Sequence, residues 1–288
     1  MEWHRIIDPN DPELDRLAAT YKLHPLHIED CRHRDEIAKI EEQPAYLFVV
    51  LKPVEKLQDG TIAISDLDIF AGKDFVITVE EGCHERVRGL LAQLQSKAAS
   101  LRPDELFHRI ADGVVDAYFP ILDHFDNTID QLEDRVLQNV SPDVLSEIFE
   151  TKRRLIEMRR VLVPTRDAFA HLQRSQQPFI QADMWPYFRD IYDHIARDLD
   201  MVEMQRDLVS GCLDIYLSGV ANRTNQVMKV LTVLGTLALP SLVISSIYGM
   251  NIKGLPAVDS PHAIVMIVSV MIAFTSVLLA ILKYFGWW

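Results

Sequence analysis

The sequence predicts a mostly α-helical chain: an α/β domain built on a small mixed sheet with helices, a long helical hairpin, a stalk helix and two transmembrane helices. Three observations predict it. Two runs near the C-terminus, Val230 to Ile252 and Ala263 to Leu282, contain no charged side chain. From Pro103 onward apolar residues recur at three and four, the period of a helix face. Before about residue 82 the apolar runs are short and are separated by turn residues. The divisions are 1–102 for the α/β domain, 103–182 for the hairpin, 183–226 for the stalk, 227–251 and 263–285 for the spans, and 252–262 for the loop between them.

In the first segment Ala45 to Leu51 and Ile69 to Val79 read as strands, with hairpins expected at Gln58-Asp59-Gly60 and Gly72-Lys73-Asp74. Pro12 to Tyr21 and Leu26 to Cys31 read as helices, and Pro25 suits a first turn. Phe107, Ile110, Val114, Tyr118, Ile121, Leu122, Phe125, Ile129, Leu132 and Val136 form one amphipathic stripe and predict one helix. Ser141 and Pro142 stand as N-cap and first residue of the next helix, followed by Leu145, Ile148, Leu155 and Met158. Pro186 opens the third helix, with no further proline until Pro240. Phe188, Ile191, Ile195, Leu199, Val202, Val209, Leu213, Tyr216 and Val220 keep close to a 3.5-residue repeat, as a helix bundled with its own copies needs. Stalk and first span are therefore expected to be one helix.

A hydrocarbon core about 30 Å thick takes roughly 20 helical residues to cross, so both uncharged runs are long enough to span it. Charge separates the two parts of the chain. Of 29 basic and 42 acidic side chains, only Lys229, Lys253, Lys283 and Asp259 follow Gln226, which leaves 26 against 41, or −15, on residues 1–226. So acidic a soluble part disfavours nucleic acid as a partner and suits cations. Cys31, Cys83 and Cys212 stand far apart and are expected to be reduced packing residues. The first residues lack the apolar core of a signal peptide. With an even number of spans, both termini are expected in the cytosol and the protein in the cell inner membrane, in contact with lipid on its spans.

The first span ends in Tyr248-Gly249-Met250-Asn251 and is entered through Asn225-Gln226-Val227-Met228-Lys229-Val230-Leu231-Thr232. Together with His24-Pro25-Leu26-His27-Ile28-Glu29-Asp30, Tyr46-Leu47-Phe48, Asp116-Ala117-Tyr118-Phe119-Pro120 and Tyr187-Phe188-Arg189-Asp190-Ile191-Tyr192-Asp193-His194, these stretches resemble the CorA family of magnesium channels. The resemblance implies a homopentamer whose first spans line a fivefold axis. It places Asn225, Met228, Leu231 or Thr232, Gly235, Leu239, Leu242 and Ser246 on the pore and Gly249, Met250 and Asn251 at a selectivity filter. It also implies that Asp190 contributes to a regulatory Mg2+ site between subunits, with Asp59 and Glu55 as candidate partners.

Physical chemistry supports part of this independently. Two helices have no interior, and exposed polar groups are costly in lipid, so an ion path requires several copies. Mg2+ releases its water reluctantly, and neutral oxygens such as the Asn251 amide and the Gly249 carbonyl suit a hydrated ion. The plain alternative is that Gly249 and Asn251 only cap a helix. Met228, Leu231 and Leu239 read either as packing residues or as a hydrophobic gate. No phosphate-binding loop is present, and the membrane potential suffices to drive entry, so no organic cofactor and no enzyme activity are expected. His24, His27, Cys31 and His33 have spacings compatible with zinc, but their motif reads as structural, and the acidic run Asp123, Asp126, Asp130, Glu133 and Asp134 reads as a solvated face. Lys253, where members of the family often carry acids, and Leu242, where a polar residue is common, depart from the pattern. The expected function is divalent cation transport, Mg2+ first with Co2+ and Ni2+ as further ions, closed by cytosolic Mg2+. The alternatives are a zinc transporter of the ZntB branch and a membrane-anchored sensor or scaffold.

Overall fold

A computed structural model describes residues 1–33, 36–57, 61–82, 85–175, 177–250, 255–256 and 260–287. It divides into two compact units, Met1–Asp214 and Ile215–Trp288.

In the first unit five strands form one sheet: β1 (Glu2–Ile6), β2 (Lys39–Glu42), β3 (Tyr46–Leu51), β6 (Asp66–Gly72) and β7 (Phe75–Glu81), in the order β1-β7-β6-β3-β2. β1 runs parallel to β7 and the other pairs are antiparallel, so the sheet is mixed. β4 (Val54–Lys56) and β5 (Ile62–Ile64) make a separate antiparallel pair. The turn expected at Gln58-Asp59-Gly60 lies outside the described residues. β3 and β6 are buried along their whole length, which explains the unbroken apolar sequence of β3, while β6 buries Asp66 and Asp68 as well. Alternation assigns Tyr46, Phe48, Val50, Phe70, Ile77 and Val79 to one face, where they form one cluster with Leu14, Leu17, Leu23 and Ile28 of the first two helices and the loop joining them. Leu47, Val49, Leu51, Leu67 and Ile69 alternate with these and are equally buried.

The β6–β7 turn depends on its glycine. A Cβ at Gly72 would stand 2.2 Å from the Phe75 ring, which itself stacks on Tyr21 at 4.0 Å. α1 (Pro12–Tyr21) is capped by Asp11, whose side chain accepts from the Glu13 amide. α2 (Pro25–Asp30) starts at its proline with His24 as cap.

α3 (Glu85–Gln95) precedes α4 (Pro103–Val115) and α5 (Phe119–Gln138). The stripe from Phe107 to Val136 therefore belongs to two helices rather than one. Pro120 has no N–H and its ring crowds the carbonyl four residues back, that of Asp116. The chain answers with tight turn bonds from Ala117 N to Val114 O and from Tyr118 N to Val115 O. Tyr118 in this break is wholly buried, and its hydroxyl donates to the Lys52 carbonyl at 2.8 Å. The break thereby ties the helices to the end of β3.

α6 (Pro142–Arg174) has Ser141 at its N-cap position without a side-chain cap bond, and it buries Val144 rather than Leu145. The segment read as a hairpin thus contains three helices, of which α5 and α6 pack together. Asp104 at the start of α4 accepts from the Gln181 amide at 3.0 Å and holds the entry to the next helix.

α7 (Trp185–Tyr248) is a single helix of 64 residues. Its first part buries Phe188, Ile191, Ile195, Val202 and Val209. Cys212 and Gln205 are buried beside them, Val220 is exposed, and Pro240 lies within the helix. In the second unit α7 is joined by α8 (Ala263–Tyr284). Both helices are long and apolar enough to cross a membrane.

Removing the Tyr118 hydroxyl strands the buried Lys52 carbonyl. Tyr118→Phe is expected to destabilise the first unit by about 1 to 3 kcal/mol, read as a lowered unfolding midpoint of the purified protein.

Candidate functional site

Within the second unit, α7 and α8 each present one half-buried stripe. On α8 it is Ala263, Ile267, Met271, Thr275 and Leu279, at four-residue spacing. On α7 it is Val233, Leu237, Ser241, Ile244 and Tyr248. At 100° per residue the opposite side of α7 carries Met228, Leu231, Gly235, Leu239, Leu242 and Ser246. Those are the positions named from the sequence as pore-lining. Met228, Leu231, Leu239 and Leu242 are 55 to 64% exposed, Ser246 is exposed and Gly235 half-buried. Asn225 and Thr232 stand at least as far round the helix from the covered stripe as Leu231 does. With Met228 and Lys229 they line a cavity of about 510 Å³ closed by Phe285, Gly286 and Trp287.

At the far end of α7, Gly249 donates its N–H to the Ser245 carbonyl at 2.9 Å, so it closes the last helical turn. A Cβ at Gly249 would stand 3.2 Å from that same oxygen, closer than an ordinary contact. Met250 is exposed, and the Tyr248 hydroxyl donates to the Pro256 carbonyl at 3.3 Å. Asn251 lies outside the described residues.

A second locus lies in the first unit where α4 faces the start of α7. Asp112 on α4 and Asp116 at its C-cap are four residues apart, and Asp190, His194 and Asp198 are four apart on α7, so each set shares one helix face. His194 approaches Asp116 at 3.7 Å through Nδ1 and Asp190 at 3.6 Å through Nε2. Donor atoms of Asp112, Asp116 and His194 lie within 4.8 Å of one another, the spread of one coordination sphere. Burial, and then the neighbouring charge of Asp116, raise the Asp112 pKa. One turn further, burial pushes Asp198 up to about 6, opposed by His194 and Arg197.

The sequence singled out only Asp190 of this cluster. Asp112, Asp116 and His194 were missed, although their four-residue spacings were visible. Asp59 lies outside the described residues. Glu55 is not brought to Asp190 within one chain; it lines a different pocket, with Arg86, Gln93 and Gly113.

The histidine segment is a packing and hydrogen-bonding device. His27 is buried, stacks on Phe48 at 4.3 Å, and bonds Tyr46 through Nδ1 at 2.9 Å and Glu41 through Nε2 at 3.0 Å. Asp30 pairs with Lys39 and Arg32 with Asp15. In the acidic run Asp126 accepts from the buried Gln205 amide at 2.9 Å, so that face is only partly left to solvent.

Fold and site geometry meet in a comparison with known sequences. A family described as CorA-like Mg2+ transporter protein matches residues 1–283. The chain belongs to that family. Among relatives of this CorA-like chain, the cobalt/magnesium transport protein CorA of Thermotoga maritima is 32% identical over 282 residues, covering 95% of this chain and 79% of the relative. The complete CorA magnesium transporter of Methanocaldococcus jannaschii has the same fold, with a TM-score of 0.86 at 23% identity over 99% of this chain and 91% of that one. The cytoplasmic domain of ZntB from Vibrio parahaemolyticus shares the fold of the CorA-like soluble part, with a TM-score of 0.65 at 12% identity over 76% of this chain and 88% of that one.

Asp198 gives a measurable signature. Its folded pKa lies above the usual carboxylate value, so the folded state is penalised once pH rises above the unfolded value, and increasingly up to about 6. Asp198→Asn should therefore stabilise the protein at pH 7.5 by on the order of 2 kcal/mol. The gain should vanish as pH falls from 6 to 4, read from thermal unfolding in chelator.

Proposed function

We propose that this chain is one subunit of a homopentameric channel through which divalent cations, Mg2+ foremost and Co2+ and Ni2+ after it, enter across the cell inner membrane. The match of nearly the whole chain to CorA-like transporters carries the reading. The bare side of α7 supports it. One flank of the first span is covered by its own chain, and the opposite side, with Leu231, Leu239, Leu242 and Ser246, is not. A ring of copies covers that side and encloses a path that two helices cannot. A Cβ at Gly235 would meet nothing within 4 Å in one chain. Alanine is favoured over glycine in mid-helix by about 1 kcal/mol, so its small size serves something outside the chain. Leu231 and Thr232 both stand on the far side of α7 from the covered stripe, so both remain candidates for the pore face.

The ion is substrate here. It arrives with its water, and five Asn251 amides with the Gly249 carbonyls bond that shell instead of stripping it. Below, Leu231, Leu239 and Leu242 make a narrow apolar passage that conducts only when wide enough to stay wet. An inside-negative potential contributes about 2.3 kcal/mol per charge per 100 mV, so a divalent ion gains roughly 4.6 kcal/mol. Both termini stand in the cytosol in this reading.

Closure by cytosolic Mg2+ is assigned to the α4–α7 carboxylates. Asp112, Asp116 and Asp190 supply oxygens suited to a hard cation, and His194 supplies a nitrogen within reach. Like charges at Asp112 and Asp116 oppose each other, and a bound divalent ion removes that opposition.

Three outcomes test this. Asn251→Ala should keep its oligomeric elution while Mg2+ influx into liposomes falls about tenfold or more, as loss of water-bonding amides implies. Equal flux in the variant would leave the hairpin as a mere anchor, and flux of Zn2+ in preference to Mg2+ would support the zinc reading. Asp190→Ala should raise the internal Mg2+ needed for half-closure about fivefold or more, measured as current against internal Mg2+; an unchanged dependence would remove the regulatory assignment.

A further inference from the structure

The membrane unit has its own charge pattern, opposite in sign to the rest of the chain. From Ile215 to Trp288 its basic residues are Arg223, Lys229, Lys253 and Lys283, and its one acid, Asp259, stands in sequence between the two spans. Arg223, Lys229 and Lys283 belong to the other ends of the spans, where no carboxylate of the unit accompanies them. Structure gathers this end around one feature. Lys229 Nζ donates to the Gly286 carbonyl at 3.3 Å, fastening α7 to the residues after α8, and among the described residues of the unit no Asp or Glu side chain pairs with it. Beside it the cavity of about 510 Å³ has a polar wall, Asn225 and Lys229, and an aromatic one, Phe285 and Trp287.

We propose that this cavity holds the headgroup phosphate of an anionic phospholipid. The orientation rests on the channel reading above, which places this end at the cytosolic leaflet. Lys229 and the Asn225 amide donate to phosphate oxygens, while Phe285 and Trp287 lie along the glycerol and the first acyl carbons, as aromatics do at a bilayer interface. A free phosphate ion uses the first pair and gains nothing from the second. The unbalanced charge of Arg223, Lys229 and Lys283 selects an anionic over a zwitterionic lipid. Met228 forms the side of the cavity nearest the pore face.

Tryptophan quenching by lipids brominated on their acyl chains tests this on the full-length protein. It is reconstituted in vesicles of phosphatidylcholine and phosphatidylglycerol with one lipid brominated at a time. Brominated phosphatidylglycerol is expected to win the site over brominated phosphatidylcholine about fivefold, the factor one basic side chain contributes at an anionic surface. Lys229→Gln should abolish the preference and Lys229→Arg should retain it. Equal quenching by both lipids, an unchanged preference in Lys229→Gln, or loss of preference in Lys229→Arg overturns the proposal. So does displacement by millimolar inorganic phosphate, which would make the free ion the ligand. The readout is lipid competition rather than ion flux, so a protein that selects phosphatidylglycerol without conducting overturns the channel reading alone.

Discussion

Hydrocarbon offers no hydrogen bonds, and that constraint organises the second unit and, through it, the chain's function. A helix satisfies its own backbone, so α7 and α8 cross lipid without penalty, but a pair of helices leaves no room between them for water. The stripes at four-residue spacing cover only one side of each helix. What remains bare on α8 is mostly apolar, with Ser269 and Ser276 among it, and is compatible with lipid. What remains bare on α7 includes a glycine that its own chain does not require and a serine near the helix end. The glycine, absent from α8, is the difference between two equally apolar helices, and with the match to CorA-like transporters it is why the first span, and not the second, is assigned to the ion path.

The soluble unit solves a different problem. Its sheet is covered on both faces, so β3 reads as a continuous apolar run and was visible in the sequence, as was β6 from Ile69 onward, past Asp66 and Asp68. The Gly72 turn was equally visible, because a glycine between two such runs has few other uses. β1 was not: Glu2-Trp3-His4-Arg5-Ile6 buries only Ile6, lies at the sheet edge, and pairs with a strand some seventy residues away. β2 was hidden likewise by its charges, Lys39, Glu41 and Glu42, which pair with side chains elsewhere. The single stripe from Phe107 to Val136 misled because Pro120 was treated as part of a helix face. Its effect falls on the backbone, four residues upstream, where periodicity of side chains gives no sign.

Legibility of the site followed a similar line. The face of the first span was readable because a helix in lipid obeys one period throughout. Gly249-Met250-Asn251, proposed as the filter, was picked out by its position between two spans, and Asn251 itself lies outside the described residues. The α4–α7 cluster was only one-quarter readable. Asp190 came from resemblance, whereas Asp112, Asp116 and His194 look in sequence like any solvated polar positions at helical spacing, and only the packing of two helices makes them neighbours. His27, whose spacing to His24 and His33 invites a metal, is occupied instead by Tyr46, Glu41 and the Phe48 ring.

Pro240 sits within α7 without ending it. A proline supplies no amide hydrogen, so the carbonyl of Thr236 loses the donor that every other turn provides. Lipid cannot replace it. That oxygen is left to a neighbouring amide in a locally tightened or loosened turn, a hydroxyl, a water molecule or another chain, so the middle of the first span is a level at which the regular ladder is one bond short.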